Sequence, residues 1–233
     1  MRPLRFLKIV VLTGTILVSG SCNSGEAGNT GEVDADRIFL DYHFTAYEEG
    51  GDIALKLQYR AGGPQGSALL LAPPAGVTVD GQPVPVDSSG IDGAFYELVK
   101  PFSDFSGSHV IVYTDANGKK LEETVEFPPL DLAGVLPDTL DRSGIEVPLA
   151  GLGKGDLVQV LLTDTSAYSP GIERTDSLRD GVLRISEQEL SRIKSGPVNF
   201  QLLRHRIRPL SNPTAAGGKL TVTYAIAREV FIR

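Results

Sequence analysis

In KLTVTYAIAREVFIR, residues 219–233, apolar side chains fall on alternate positions: Leu220, Val222, Tyr224, Ile226, Val230 and Ile232, with only Arg228 breaking the face. A helix would need them three and four apart, so a period of two commits the stretch to an extended strand with one buried side. The same rhythm recurs in DIALKLQYR at 52–60, where Ile53, Leu55, Leu57 and Tyr59 alternate with Ala54, Lys56, Gln58 and Arg60. It returns in LEETVEF at 121–127, where the apolar face carries Glu123, an acid that must lie near a sheet edge.

Turn residues separate these runs. Gly50-Gly51, Asp80-Gly81 and Asn117-Gly118 each sit between strand-like stretches. Asp-Gly and Asn-Gly supply the positive φ angles that tight hairpins require. Further strands are expected at 36–49, 77–86, 109–127, 145–149, 156–164, 181–186 and 197–208. One helix is expected, at 186–196, where Ser186 and Glu189 form a capping box, Leu190 and Ile193 keep helical spacing, and Gly196-Pro197 ends it. PPLDLAGVLP at 128–137 has no clean period, and its prolines mark a connection between two units.

The expected class is therefore all-β, in two blocks at 37–128 and 138–233 with a linker at 129–137 and the short helix in the second block. The pattern resembles tandem immunoglobulin-like antiparallel β-sandwiches of about 100 residues each. The inter-sheet disulfide and the Trp of antibody domains are missing, since the chain has one Cys and no Trp. The alternative is one larger β-sandwich.

The amino terminus sets the address. Residues 1–8 carry Arg2, Arg5 and Lys8 with no acid, and IVVLTGTILV at 9–18 is an apolar run too short to span a bilayer. Ser19-Gly20-Ser21 then lead into Cys22, the single cysteine. This order resembles the lipobox signal of bacterial lipoproteins, although Ser19 stands where Leu is common. The resemblance implies a signal peptide at 1–21, a diacylglycerol on the Cys22 sulfur and a mature chain beginning there. Two or more acyl chains suffice for stable anchoring. In that family an Asp just after the lipidated Cys favours inner-membrane retention, so Asn23 at this position implies the outer membrane. The polar, glycine-rich run at 23–36 completes a segment, 22–36, expected to be a flexible tether.

Removing residues 1–21 takes away three basic residues and no acid, moving the formal charge from −7 to −10. Such a chain is not a nucleic-acid binder by default. His43, His109 and His205 lie far apart with no second ligand at metal spacing, so no metal or other cofactor is expected. Asp87 and Asp92 around a glycine read as a solvated turn rather than a calcium loop. No Gly-x-Ser-x-Gly turn is present to offer a nucleophile.

Two candidate surfaces remain. Arg204, Arg206 and Arg208 alternate along a strand, which puts three guanidiniums on one face as a candidate anion-binding row. Alternatively they pair across the sheet with acids such as Glu229, or face water. For sugar contact the aromatic candidates are Tyr42, Tyr47, Tyr96 and Tyr168, with Tyr96 and Tyr168 expected to be the more exposed. The leading expectation is a lipid-anchored, non-catalytic interaction or structural module of the cell envelope, with the membrane and envelope proteins or glycans as partners. A glycan-binding lipoprotein is the second reading and a hydrolase the third.

Overall fold

The computed structural model describes residues 28–105, 107–164, 169–178 and 180–233. The longer strands are β1 (Ile38–Tyr47), β2 (Asp52–Ala61), β3 (Gly76–Val79), β4 (Val86–Ser89), β5 (Gly93–Pro101), β6 (Ser108–Thr114) and β7 (Lys120–Glu126) in the first block. The second block holds β8 (Ile145–Ala150), β9 (Leu157–Asp164), β10 (Ile172–Asp176), β11 (Val182–Ile185), β12 (Gly196–Thr214) and β13 (Gly217–Ile232). One α-helical turn, α1 (Glu187–Leu190), is capped by Ser186 and Glu189 in a complete capping box. It is shorter than the sequence predicts, yet Leu190 and Ile193 are both buried.

The chain is all-β, with sheets in a sandwich-like arrangement. A nine-stranded sheet forms one layer, in the order β10-β9-β12-β13-β1-β2-β5-β4, with Thr139–Leu140 beside β13. A four-stranded sheet, β7-β6-β3 followed by Gln82–Pro83, belongs to the first block, and a three-stranded sheet of Asp131–Leu132, β8 and β11 to the second. Alternation dictates what fills the space between them. Tyr42, Phe44, Leu55, Leu57 and Tyr59 of the large sheet join Val77, Ile111, Tyr113 and Val125 of the four-stranded one. Val160, Leu162, Phe200, Leu202 and Ile226 join Val147, Leu149, Leu183 and Ile185 of the three-stranded one. All of these residues belong to one hydrophobic cluster.

The large sheet runs through both blocks. β13 lies parallel to β1 in unbroken register from Gly218 opposite Leu40 to Ala225 opposite Tyr47. The expected pairing was antiparallel throughout, because tight turns were the visible connections. A parallel pair needs a long crossover instead, and here nearly the whole chain is the crossover. The expected linker is also engaged: Asp131–Leu132 pairs with β8, and Leu130 is completely buried.

The expected tether is shorter than the sequence indicates. Gly28–Asn29 pairs with Leu69–Leu70, and Thr30 is 0% exposed, its hydroxyl oxygen accepting from the Ala72 N–H. Turns capped by Asn29 and Asp34 carry the chain into β1. Small polar residues here satisfy backbone groups on the body of the fold, which composition alone does not reveal.

Candidate functional site

The face of the nine-stranded sheet turned away from the core carries a polar depression of about 500 Å³. Its residues arise from strand alternation: Asp41, His43 and Thr45 on β1, Ala54, Lys56, Gln58 and Arg60 on β2, Glu97 on β5 and Lys219 on β13. The Pro64–Gln65 loop and Asp92 form its walls. Register brings them together, with Asp41 between Gln58 and Lys219, and Lys56 between His43 and Glu97.

At the floor lies Asp41, 4% exposed. Its Oδ1 is 2.7 Å from His43 Nε2 and 3.5 Å from Lys219 Nζ, and its Oδ2 is 3.6 Å from Arg60 Nε. Burial pushes this carboxyl up, but the hydrogen bond with His43 and the charges of His43, Lys219 and Arg60 outweigh it and hold Asp41 below the ordinary carboxylate value. Gln58, also buried, accepts from Arg60 Nη2 at 2.8 Å and donates to the Asp92 carbonyl at 3.0 Å. Lys56 donates to Asp92 at 2.7 Å. Glu97 apart, the charges are thus paired before any ligand arrives.

Arg204, Arg206 and Arg208 do share a face of β12, but it is the face turned toward the core. Arg204 is 0% exposed. Its guanidinium donates to the carbonyls of Pro128 at 2.6 Å, Gly151 at 2.9 Å and Pro129 at 3.3 Å. Arg206 grips Asp156 with two hydrogen bonds, at 2.7 and 2.9 Å. Arg208 pairs with Glu123 at 2.5 Å and donates to the Thr124 carbonyl. Glu123 sits on β7, the edge strand of its sheet, and also accepts from the Ser211 N–H. The acids that meet the row are therefore Asp156 and Glu123, not Glu229. Val198, Phe200 and Leu202 continue the same parity, and that signal was available in the sequence to mark the face as inward.

Tyr96 is a buried residue whose hydroxyl accepts from the Leu71 N–H, and it packs edge-on against Tyr59 at 5.7 Å. Tyr42 is likewise in the core, while Tyr47 is 60% exposed. Cys22 and Tyr168 lie outside the described residues. His109 stacks on Phe105 at 3.6 Å and meets Asp80 at 2.7 Å, and His205 meets Thr223. Asp87 accepts from the Ser88 N–H. Among the described residues, no group of three or more His, Cys, Asp or Glu side chains could hold a metal ion.

The depression's members were visible as alternating polar residues in separate strands. The pairing of those strands was not.

No family model and no curated protein matches the chain. Solved structures overlay on it at low scores. Murine CEACAM1b shares 16% identity over 84% of this chain and 100% of its own, with a TM-score of 0.24. The IG1+IG2 segment of DIP-gamma shares 10% identity over 81% of this chain and 94% of its own, at 0.22. Bacteroides ovatus SGBP-B, from a mixed-linkage glucan utilization locus and solved with a mixed-linkage heptasaccharide, shares 10% identity over 78% of this chain and 54% of its own, at 0.24. Scores this low place no site on this chain.

Proposed function

We propose that the chain is a lipid-anchored protein of the bacterial cell envelope, held through Cys22, whose sheets form a non-catalytic binding module. One observation carries the binding role: the outer face of the nine-stranded sheet holds a depression in which Asp41, Asp92, Lys56, Arg60 and Lys219 are already paired with one another. Preorganised polar groups in a concave site are what specific recognition requires. The Asp41–His43 pair is flanked by Lys219 and Arg60, which balance its charge. That arrangement suits holding a ligand in place.

Anchoring rests on the order of basic, apolar and small residues before Cys22. Expression in a bacterial host with an alkyne fatty acid should label the wild-type chain and not Cys22→Ser, and the variant should leave the membrane fraction. A mature chain beginning elsewhere, or a Cys22→Ser variant that stays membrane-bound, defeats the anchor. For the binding role, a photo-crosslinking residue at Thr45 in the native membrane should capture a discrete envelope component. Crosslinks identical to those from an exposed position on the opposite layer, such as Glu122, defeat it.

A further inference from the structure

We infer that the depression around Asp41 receives an uncharged sugar unit of a glycan, an assignment that rests on the chain's being a binding module. Charge balance is the first ground. Lys56 is held by Asp92, while Arg60, Lys219 and His43 surround Asp41. With Glu97 included, three carboxylates (Asp41, Asp92, Glu97) face three cationic side chains (Lys56, Arg60, Lys219), so the depression has no formal excess charge to select an anion or a cation. A neutral ligand leaves every pair in place.

The second ground is what the pairs leave over. The His43 ring meets Asp41 through Nε2, which leaves its Nδ1 as a further polar group. The Thr45 hydroxyl, the Glu97 carboxylate and the exposed Gln65 amide line the same space. So do the ammonium groups of Lys56 and Lys219, each with more hydrogens than its carboxylate uses. Donors and acceptors are thus interleaved over a few ångströms, the pattern that matches hydroxyls, which both donate and accept. A volume of about 500 Å³ lies within the usual range for small-ligand sites.

The test uses the mature chain in detergent, titrated calorimetrically with neutral oligosaccharides (cello-, malto-, xylo- and mannopentaose and a mixed-linkage glucan) and with acidic ones (oligogalacturonate and heparin). Thr45→Val and Glu97→Gln remove groups that serve no internal hydrogen bond and should leave the urea midpoint unchanged. At least one neutral saccharide should bind with little dependence on salt, and each substitution should weaken it about tenfold or more. Binding confined to acidic saccharides and abolished by salt overturns the assignment, as does neutral binding that both variants retain. If no saccharide binds while Thr45 crosslinks to one envelope protein, the glycan assignment fails and the binding module stands. If neither occurs, both fail.

Discussion

Replacing Arg204 with Met tests whether the arginine row is an internal clasp. The side chain is wholly buried, donates to three backbone carbonyls at 2.6–3.3 Å, and places its guanidinium carbon 6.0 Å from the centre of the Tyr224 ring. Methionine fills much of the same volume but offers no donor, so the carbonyls of Pro128, Pro129 and Gly151 lose their partner away from water. Asp156 loses the nearby positive charge, 3.8 Å away. Hydrogen bonds from a charged donor are worth about 1.5–3 kcal/mol each, and removing one member of a buried polar cluster costs about 3–5 kcal/mol in total. With a urea m-value of about 2–3 kcal/mol/M for a chain of this size, the midpoint should fall by about 1–2 M. Arg184→Met, at an exposed guanidinium paired with Glu146 and Asp180, serves as the control and should leave the midpoint where it is. Equilibrium unfolding followed by circular dichroism reads both. A loss below about 1 kcal/mol for Arg204→Met refutes the clasp and frees the row for another role.

Gly151 has φ +80°, and a Cβ there would lie 2.1 Å from the Pro129 carbonyl oxygen, so Gly151→Ala should destabilise by more than the about 1 kcal/mol of an ordinary Gly-to-Ala mismatch, measurable in the same urea series. Burial raises the Asp156 carboxyl, but hydrogen bonds from Arg206 and the Gly153 N–H, with the charges of Arg206 and Arg204, hold it below the ordinary value, as Asp41 is held. A carboxyl depressed in the folded state contributes stability that is present above its unfolded value near about 4 and lost as pH falls through the folded one. The urea midpoint should therefore drop below about pH 4, and Asp156→Asn should flatten that decline. Residues 37–128 and 138–233 expressed apart would each expose a strand of the β1–β13 ladder. They should aggregate or fold less stably than the joined chain, and two soluble halves with the full chain's stability would show that the shared sheet adds nothing.

Local features were legible because their chemistry is local. Asp80-Gly81 turns the chain with both residues at positive φ, and Ser186 with Glu189 caps α1. Alternation placed Leu220, Val222, Tyr224 and Ile226 on one face, and all are buried. The parallel join of β13 to β1 was not legible, since it links positions about 180 residues apart and leaves no turn between them. Periodicity put the three arginines together and, through Val198, Phe200 and Leu202 on the same parity, marked their side as inward, but it did not name their partners. Their partners come from β7 and from the loop before β9, far away in sequence. The depression failed to show for the same reason. Asp41, Lys56 and Lys219 each read as an ordinary solvent-facing residue until register brought them side by side.

The docking of residues 28–36 bears on how the molecule stands. With Gly28 fixed beside Leu69, and Ala68 bridged to Arg60, the described chain starts at the corner that holds the Arg60 wall of the depression. Residues 23–27 can reach at most about 17 Å. If Cys22 carries the lipid, that reach keeps Gly28 close to the bilayer surface. The Arg60 wall, beside Ala68 and so next to Leu69 and Gly28, would then lie near that surface, and a polymer in free solution would have to come down to it to enter the depression.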